Sequence, residues 1–170
     1  MLATHSILIA LVALTGAGEQ SAPCCPVSIE LEATQFMDSG SVRPRLVSSG
    51  LASVFLFHPR DGALGYSVER LSGPESDTPT RELISIQPEA LDPRIQKYVF
   101  AKPDLLGIHW REVGVVNPSD PEEFSIPAGH YRVSILASPS KLRRTGDVQV
   151  WRMYSRAFYV ANSGKWVTFH

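Results

Sequence analysis

From Val27 onward, apolar and polar residues trade places in short runs separated by Gly, Pro, Asp and Ser. A period of two sends alternate side chains to opposite faces of an extended strand, whereas a helix repeats its apolar face every three or four residues. The first run is the cleanest. Val27, Ile29, Leu31 and Ala33 alternate with Ser28, Glu30, Glu32 and Thr34, which predicts a strand with one face on a core and the other in water. Ala52 to Phe57 is apolar at nearly every position, as a central strand covered on both faces would be. It runs into His58-Pro59-Arg60-Asp61-Gly62, turn formers that predict a hairpin with Tyr66 to Leu71 as the returning strand.

Further strands are predicted over Arg81 to Gln87, after the polar loop Ser72 to Thr80, and over Ile95 to Phe100 and Ile108 to Val116. The C-terminal third adds Tyr131 to Ala137, Val148 to Met153, Ala157 to Val160 and Lys165 to Phe169. Pro88 to Asp92 reads as a helical turn, Pro103 to Leu106 as a tight turn, and Asn117-Pro118-Ser119-Asp120-Pro121 as the end of a strand. No stretch keeps a helical period for three turns, and there is no internal repeat or low-complexity segment. The expected class is all-β, an antiparallel sandwich of short strands.

One stretch narrows that class. Phe124-Ser125-Ile126-Pro127-Ala128-Gly129-His130-Tyr131-Arg132-Val133 resembles the loop and strand entry at the tyrosine corner of immunoglobulin-like and fibronectin type III-like sandwiches. The resemblance implies a single immunoglobulin-like antiparallel β-sandwich, with structural roles for two residues: Gly129 permits the bend, and Tyr131 places its ring in the core while its hydroxyl bonds to nearby backbone. Val133 and Ile135 would continue on the inward face.

The amino-terminal segment carries a different message. Ile7 to Leu14 is an uncharged apolar run of about eight residues, the length of a signal-peptide core and far short of the roughly twenty that span a bilayer. Small residues at Thr15 and Ala17, or Gly16 and Gly18, suit a signal peptidase. The expected organisation is a signal peptide over 1–17, a flexible leader over 18–26 and a β-sandwich domain over 27–170. The expected destination is the periplasm or the extracellular space, without a stable membrane span. Pro23 stands directly before Cys24, where a lipoprotein signal needs a small residue, so no lipid anchor is expected.

Cys24 and Cys25 are the two cysteines of the chain. Adjacent Cα atoms sit about 3.8 Å apart, below the usual disulfide span, so crosslinks between chains are the simpler oxidised outcome. Such a pair can tether the leader but cannot staple the domain, whose stability must come from its core.

Charge nominates no partner. The 16 basic and 17 acidic residues, net −1, all lie beyond Ala17 and give no bias toward nucleic acid or acidic lipid. Motifs for a zinc helix, a nucleophile elbow, a phosphate-binding loop and a calcium loop are missing. His58, His109, His130 and His170 are too widely spaced to form a metal site by sequence neighbourhood. No cofactor and no metal are expected. Candidate binding residues are Trp110, Trp151 and Trp166, whose flat rings suit sugars or a core, and Arg143 and Arg144 in the basic turn Lys141 to Asp147. The acidic loop Ser119 to Glu123 is its opposite in sign. The functional expectation is an exported noncatalytic module that binds a protein or a carbohydrate, or assembles through an edge strand or end loops. The alternative is an exported hydrolase or a carbohydrate-binding accessory domain.

Overall fold

The computed structural model describes residues 26–60, 62, 64–73, 78–141, 146–161 and 165–168. The expected signal peptide, Cys24, Cys25, Arg143 and Arg144 lie outside the described residues. Within them the chain is all-β. Its strands are β1 (Val27–Leu31), β2 (Gln35–Phe36), β3 (Pro44–Ser48), β4 (Ser53–Phe57), β5 (Gly65–Leu71), β6 (Thr80–Ile86), β7 (Gln96–Val99), β8 (Gly107–Ile108), β9 (Val115–Asn117), β10 (Asp120–Ser125), β11 (Gly129–Ser138), β12 (Val148–Tyr154), β13 (Phe158–Val160) and β14 (Val167–Thr168). Three 3-10 turns, Ser39–Ser41, Pro88–Ala90 and Trp110–Glu112, are the helical content there.

β11 is the spine of the large sheet. On one side it pairs with β5 along His130 to Ser134 and then with β4 along Leu136 to Ser138. On the other it pairs with β13 along Gly129 to Tyr131 and with β12 along Ser134 to Ala137. Each flanking position is thus filled by two strands laid end to end. One end of the sheet has the order β6-β12-β11-β4-β7, and the other has β2-β13-β11-β5-β8.

This arrangement corrects the expected hairpin. β4 and β5 do not pair with each other; they run in one direction along β11, and between them His58 to Arg60 stay bonded to the segment Ala90 to Asp92. Pro59 and Gly62 do make a turn, with the Gly62 N–H donating to the Pro59 carbonyl at 3.0 Å. The chain then rejoins the same partner instead of reversing.

A second interruption separates β12 from β13. The pairing moves from Ser134 with Tyr154 to Tyr131 with Phe158, which leaves one extra residue on the outer strand, a β-bulge. Ser155 repairs the ladder there. Its N–H donates to the Val133 carbonyl at 2.9 Å, and its Oγ accepts from the Val133 N–H at 3.1 Å.

Side-chain alternation along β11 sorts the two faces. Tyr131, Val133, Ile135 and Ala137 point into the main core with Leu56, Val68, Met153 and Phe158. A ribbon of β1 and β3 covers that face with Val27, Ile29, Leu31 and Leu46, so the alternation read from Val27 to Leu31 holds in the burial of those residues. The small sheet β9-β10-β14 adds Phe124 to the same core. Tyr131 is fully buried, and its hydroxyl donates to the Pro127 carbonyl at 2.5 Å. Gly129 begins β11 without a positive φ.

The opposite face is divided. Phe57, Leu136, Val148 and Val150 form a second apolar cluster under Leu91, carried by the segment that follows the expected turn at Pro88. Beyond it the face is charged: Arg132 pairs with Glu69 at 2.8 Å and lies over the Tyr154 ring, whose hydroxyl donates to Glu82 at 2.9 Å.

Two further expectations change. The predicted strand Ile108 to Val116 is broken into β8, the Trp110–Glu112 turn and β9. Trp110 turns inward to meet Tyr131 and Phe158 edge-on at centroid distances of 5.7 and 6.3 Å, and the N–H groups of Val113 and Gly114 return to its carbonyl. Packing overrides the local β preference there. In turn, the acidic stretch expected as a loop supplies β10. Pro121 falls where the β9–β10 register shifts between Asp120 and Phe124, a place where a missing donor costs no ladder bond.

Candidate binding cleft

The segment 103–110 runs beside β5, with Gly107 and Ile108 paired to its start. A cleft of ≈ 700 Å³ remains between this segment, β5, β7 and the entry to β3. That volume lies within the range of small-molecule sites, roughly 300–1,000 Å³.

Its aromatic backing comes from three elements: Tyr66 and Tyr98 belong to the main core, 1% and 2% exposed, and only Trp110 is half-open. Tyr66 is the second residue of β5 and faces Ile108 across a short parallel pairing. Tyr98 stands on β7 opposite Val54 and packs edge-on against Phe100 at 5.4 Å. Trp110, half-buried, completes the wall from the turn that the Tyr131 and Phe158 contacts hold. Leu105 is fully exposed at the rim, and Leu106 and Ile108 follow it inward.

Burial pushes the Tyr66 phenol far above its ordinary value, with Tyr98 adding to the effect. Burial, then the charge of Asp104, pushes the Tyr98 phenol up as well. Both hydroxyls stay neutral at physiological pH and can only donate or accept hydrogen bonds. The rim carries Glu32 and Asp104 against Arg43 and Arg45, and Arg45 is already paired with Glu30 at 2.9 Å. Arg43 spends its guanidinium on the carbonyls of Gly40 and Val42, fixing the entry to β3. No net charge is left to select an anion or a cation.

Behind the cleft, the start of β5 is tightly built. Gly65 has φ +151°, and a Cβ there would lie 2.4 Å from the Gly107 carbonyl oxygen and 2.7 Å from His109 Nε2. Only glycine fits. Its N–H donates to Nδ1 of His58 at 3.3 Å, so the neutral imidazole of His58 carries its proton on Nε2. His58 Nε2, Gln96 Oε1 and His109 Nε2 are all buried, and Gln96 neighbours the His58 ring as a hydrogen-bonding group. Burial holds His58 below its ordinary value; Gln96 and Asp92 oppose that shift, while His109 and Arg94 add to it. Asp92 is itself clamped by Arg94 at 2.6 and 2.9 Å, which holds its carboxyl well below the usual carboxylate range. Gln96 also donates to Asp104 at 3.3 Å, tying this polar cluster to the cleft rim.

Of the residues nominated from the sequence, Trp110 lines the cleft. Trp151 lies on β12 between Ala137 and Leu83, half-buried against the main core. Trp166 is 45% exposed just ahead of β14. The three rings therefore stand on three separate elements. Tyr66, Tyr98 and the His58 cluster were not nominated; a tyrosine within a β-rich run carries no mark of facing a cleft. Among the described residues, no group of three or more His, Cys, Asp or Glu could hold a metal ion, and no helix is long and apolar enough to cross a membrane. Comparison with protein-family models, with curated proteins and with solved structures found no match in any of the three.

Proposed function

We propose that this chain is an exported, noncatalytic binding domain with an immunoglobulin-like sandwich, and that the Tyr66, Tyr98 and Trp110 cleft receives an uncharged ligand with a flat or branched apolar body. The observation that carries this reading is the cleft itself. Its size, its aromatic backing and its charge-balanced rim match the common pattern of apolar pockets with a few polar groups. Export rests on the apolar run Ile7 to Leu14 and the small residues after it.

A titration with N-phenyl-1-naphthylamine, an uncharged aromatic probe, tests the cleft. The probe should bind saturably, and Leu105→Asp should weaken it about tenfold, because a rim leucine contributes about 1.5 kcal/mol of apolar contact. Leu64→Asp, at an exposed position outside the cleft lining, should leave binding intact. Absence of saturable binding, or equal loss in both variants, would overturn the reading.

The alternative of an exported hydrolase has one supporting feature. His58, Glu69, Glu112, Ser67 and Ser134 line a smaller depression of ≈ 210 Å³ on the charged side of the sheet. Catalysis by a serine would need its hydroxyl bonded to an imidazole nitrogen. His58 Nδ1 is taken by the Gly65 N–H, the ring has Gln96 as its hydrogen-bonding neighbour, and Glu69 is held by Arg132. The binding reading is therefore preferred.

A further inference from the structure

Most strand edges among the described residues carry a device that discourages pairing, and β6 does not. β7 has four residues and is turned back by the bridge from Val99 to Lys102. β9 shifts register against β10, β3 opens on Pro44, and β2, β8 and β14 are two residues long. By contrast, all seven residues of β6 pair with β12 in unbroken register, from Ile86 with Val148 to Thr80 with Tyr154, with no proline and no bulge. A long regular edge of this kind is a template for another strand.

Its side chains favour an added strand on both faces. Leu83 is 43% exposed beside Trp151 on the core side of the sheet. Ile84 and Ile86 border the second apolar cluster on the other side. The charges that would guard the edge are engaged within their own molecule: Glu82 accepts from the Tyr154 hydroxyl at 2.9 Å and lies 3.5 Å from Arg152, and Arg81 lies toward β1 and β3 in a groove with Ser28 and Glu30.

We propose that β6 pairs antiparallel with β6 of a second copy of this chain, with Leu83 opposite the partner's Leu83. A two-fold axis normal to the sheet keeps like faces together, so only registers that match odd with odd and even with even positions are open. Among these, the Leu83-centred register pairs all seven residues. It sets Arg81 against the partner's Ser85, Glu82 against the partner's Ile84 and Thr80 against the partner's Ile86, so no like charges meet. A slip of one residue toward Thr80 places Glu82 against the partner's Glu82; a slip toward Ile86 shortens the paired stretch. The strand is self-complementary about its own centre, which is why a second copy is the occupant.

Sedimentation equilibrium in reductant, which removes any crosslink through Cys24 and Cys25, tests this directly. The mass should rise toward twice the chain mass with concentration. Leu83→Lys, at an exposed position, should keep its melting temperature and remain a monomer, at least tenfold weaker in association. As a positional readout, Leu83→Cys in a chain with Cys24→Ser and Cys25→Ser should form a disulfide-linked dimer on mild oxidation, since opposed antiparallel residues lie within disulfide reach. A wild-type chain that stays monomeric at about 200 μM, a dimer indifferent to Leu83→Lys, or a Leu83→Cys chain that fails to crosslink would each overturn the proposal. These readouts are independent of ligand binding in the cleft.

Discussion

The two interruptions beside β11 are the same defect resolved in opposite ways. Between β12 and β13 the chain spends one extra residue, and the Ser155 hydroxyl accepts from the Val133 N–H that the ladder would have left bare. Between β4 and β5 the register against β11 shifts by eight residues, and the chain returns through Gly65, whose N–H donates to the buried His58 ring. The first break is closed and self-satisfied, and serves only the sheet. The second ends at Gly65, where the Gly107 carbonyl and His109 leave no room for a Cβ, and its two ends line the smaller depression on the charged side of the sheet.

Substitution at the open break should do the most damage. Gly65→Ala adds a Cβ 2.4 Å from the Gly107 carbonyl and forces a side chain onto φ +151°. We expect a loss of about 3 kcal/mol in urea unfolding, with the uncharged probe released from the cleft. A fully stable variant would mean that the β5–β8 contact is not rigid.

At the closed break the expected loss is smaller. Ser155→Ala leaves the buried Val133 N–H without its acceptor, which should cost about 2 kcal/mol while probe affinity stays within twofold. Loss of probe binding in a folded Ser155→Ala chain would show that the two breaks are coupled through β11.

Proton uptake should separate the breaks more gently. His58 is held below its ordinary value, so between the two values the unfolded chain binds more protons than the folded one. The stability that His58 contributes is complete above about pH 6.5 and is lost as the pH falls below it. The slope cannot exceed about 1.4 kcal/mol per pH unit for one proton. Subtracting the pH profile of His58→Gln from that of the wild type should isolate this slope, and Ser155→Ala should retain it. Identical profiles for wild type and His58→Gln would remove His58 from the acid response.

Much of the sheet was legible in the sequence, and the reason is local. Val27 to Leu31 carries its face in its own alternation, so burial follows from the period, and Tyr131 to Ala137 is apolar enough to mark a central strand covered on both faces. The errors fall where a distant partner decides. Pro59 and Gly62 encode a turn, yet whether the chain then reverses or rejoins the same neighbour depends on β11, some seventy residues later. Trp110 belongs to a β-branched stretch, and contacts with Tyr131 and Phe158 pull it into a helical turn. The cleft was largely hidden for the same cause: Tyr66 and Tyr98 come from separate strands and meet only through sheet order. Trp110 alone among its aromatics stood out from the composition.

The end-to-end placement of β4 and β5 has a consequence for how such a chain tolerates new length. Both ends of the excursion are pinned by one continuous strand, so inserting residues after Gly62 leaves every register in the sheet unchanged. The cost is that of a longer loop between fixed ends, about 0.6 kcal/mol for each doubling. In a hairpin the same insertion would threaten the pairing of the two strands it joins. Here the spine keeps the register on its own account, and the loop is free to lengthen as its surroundings require.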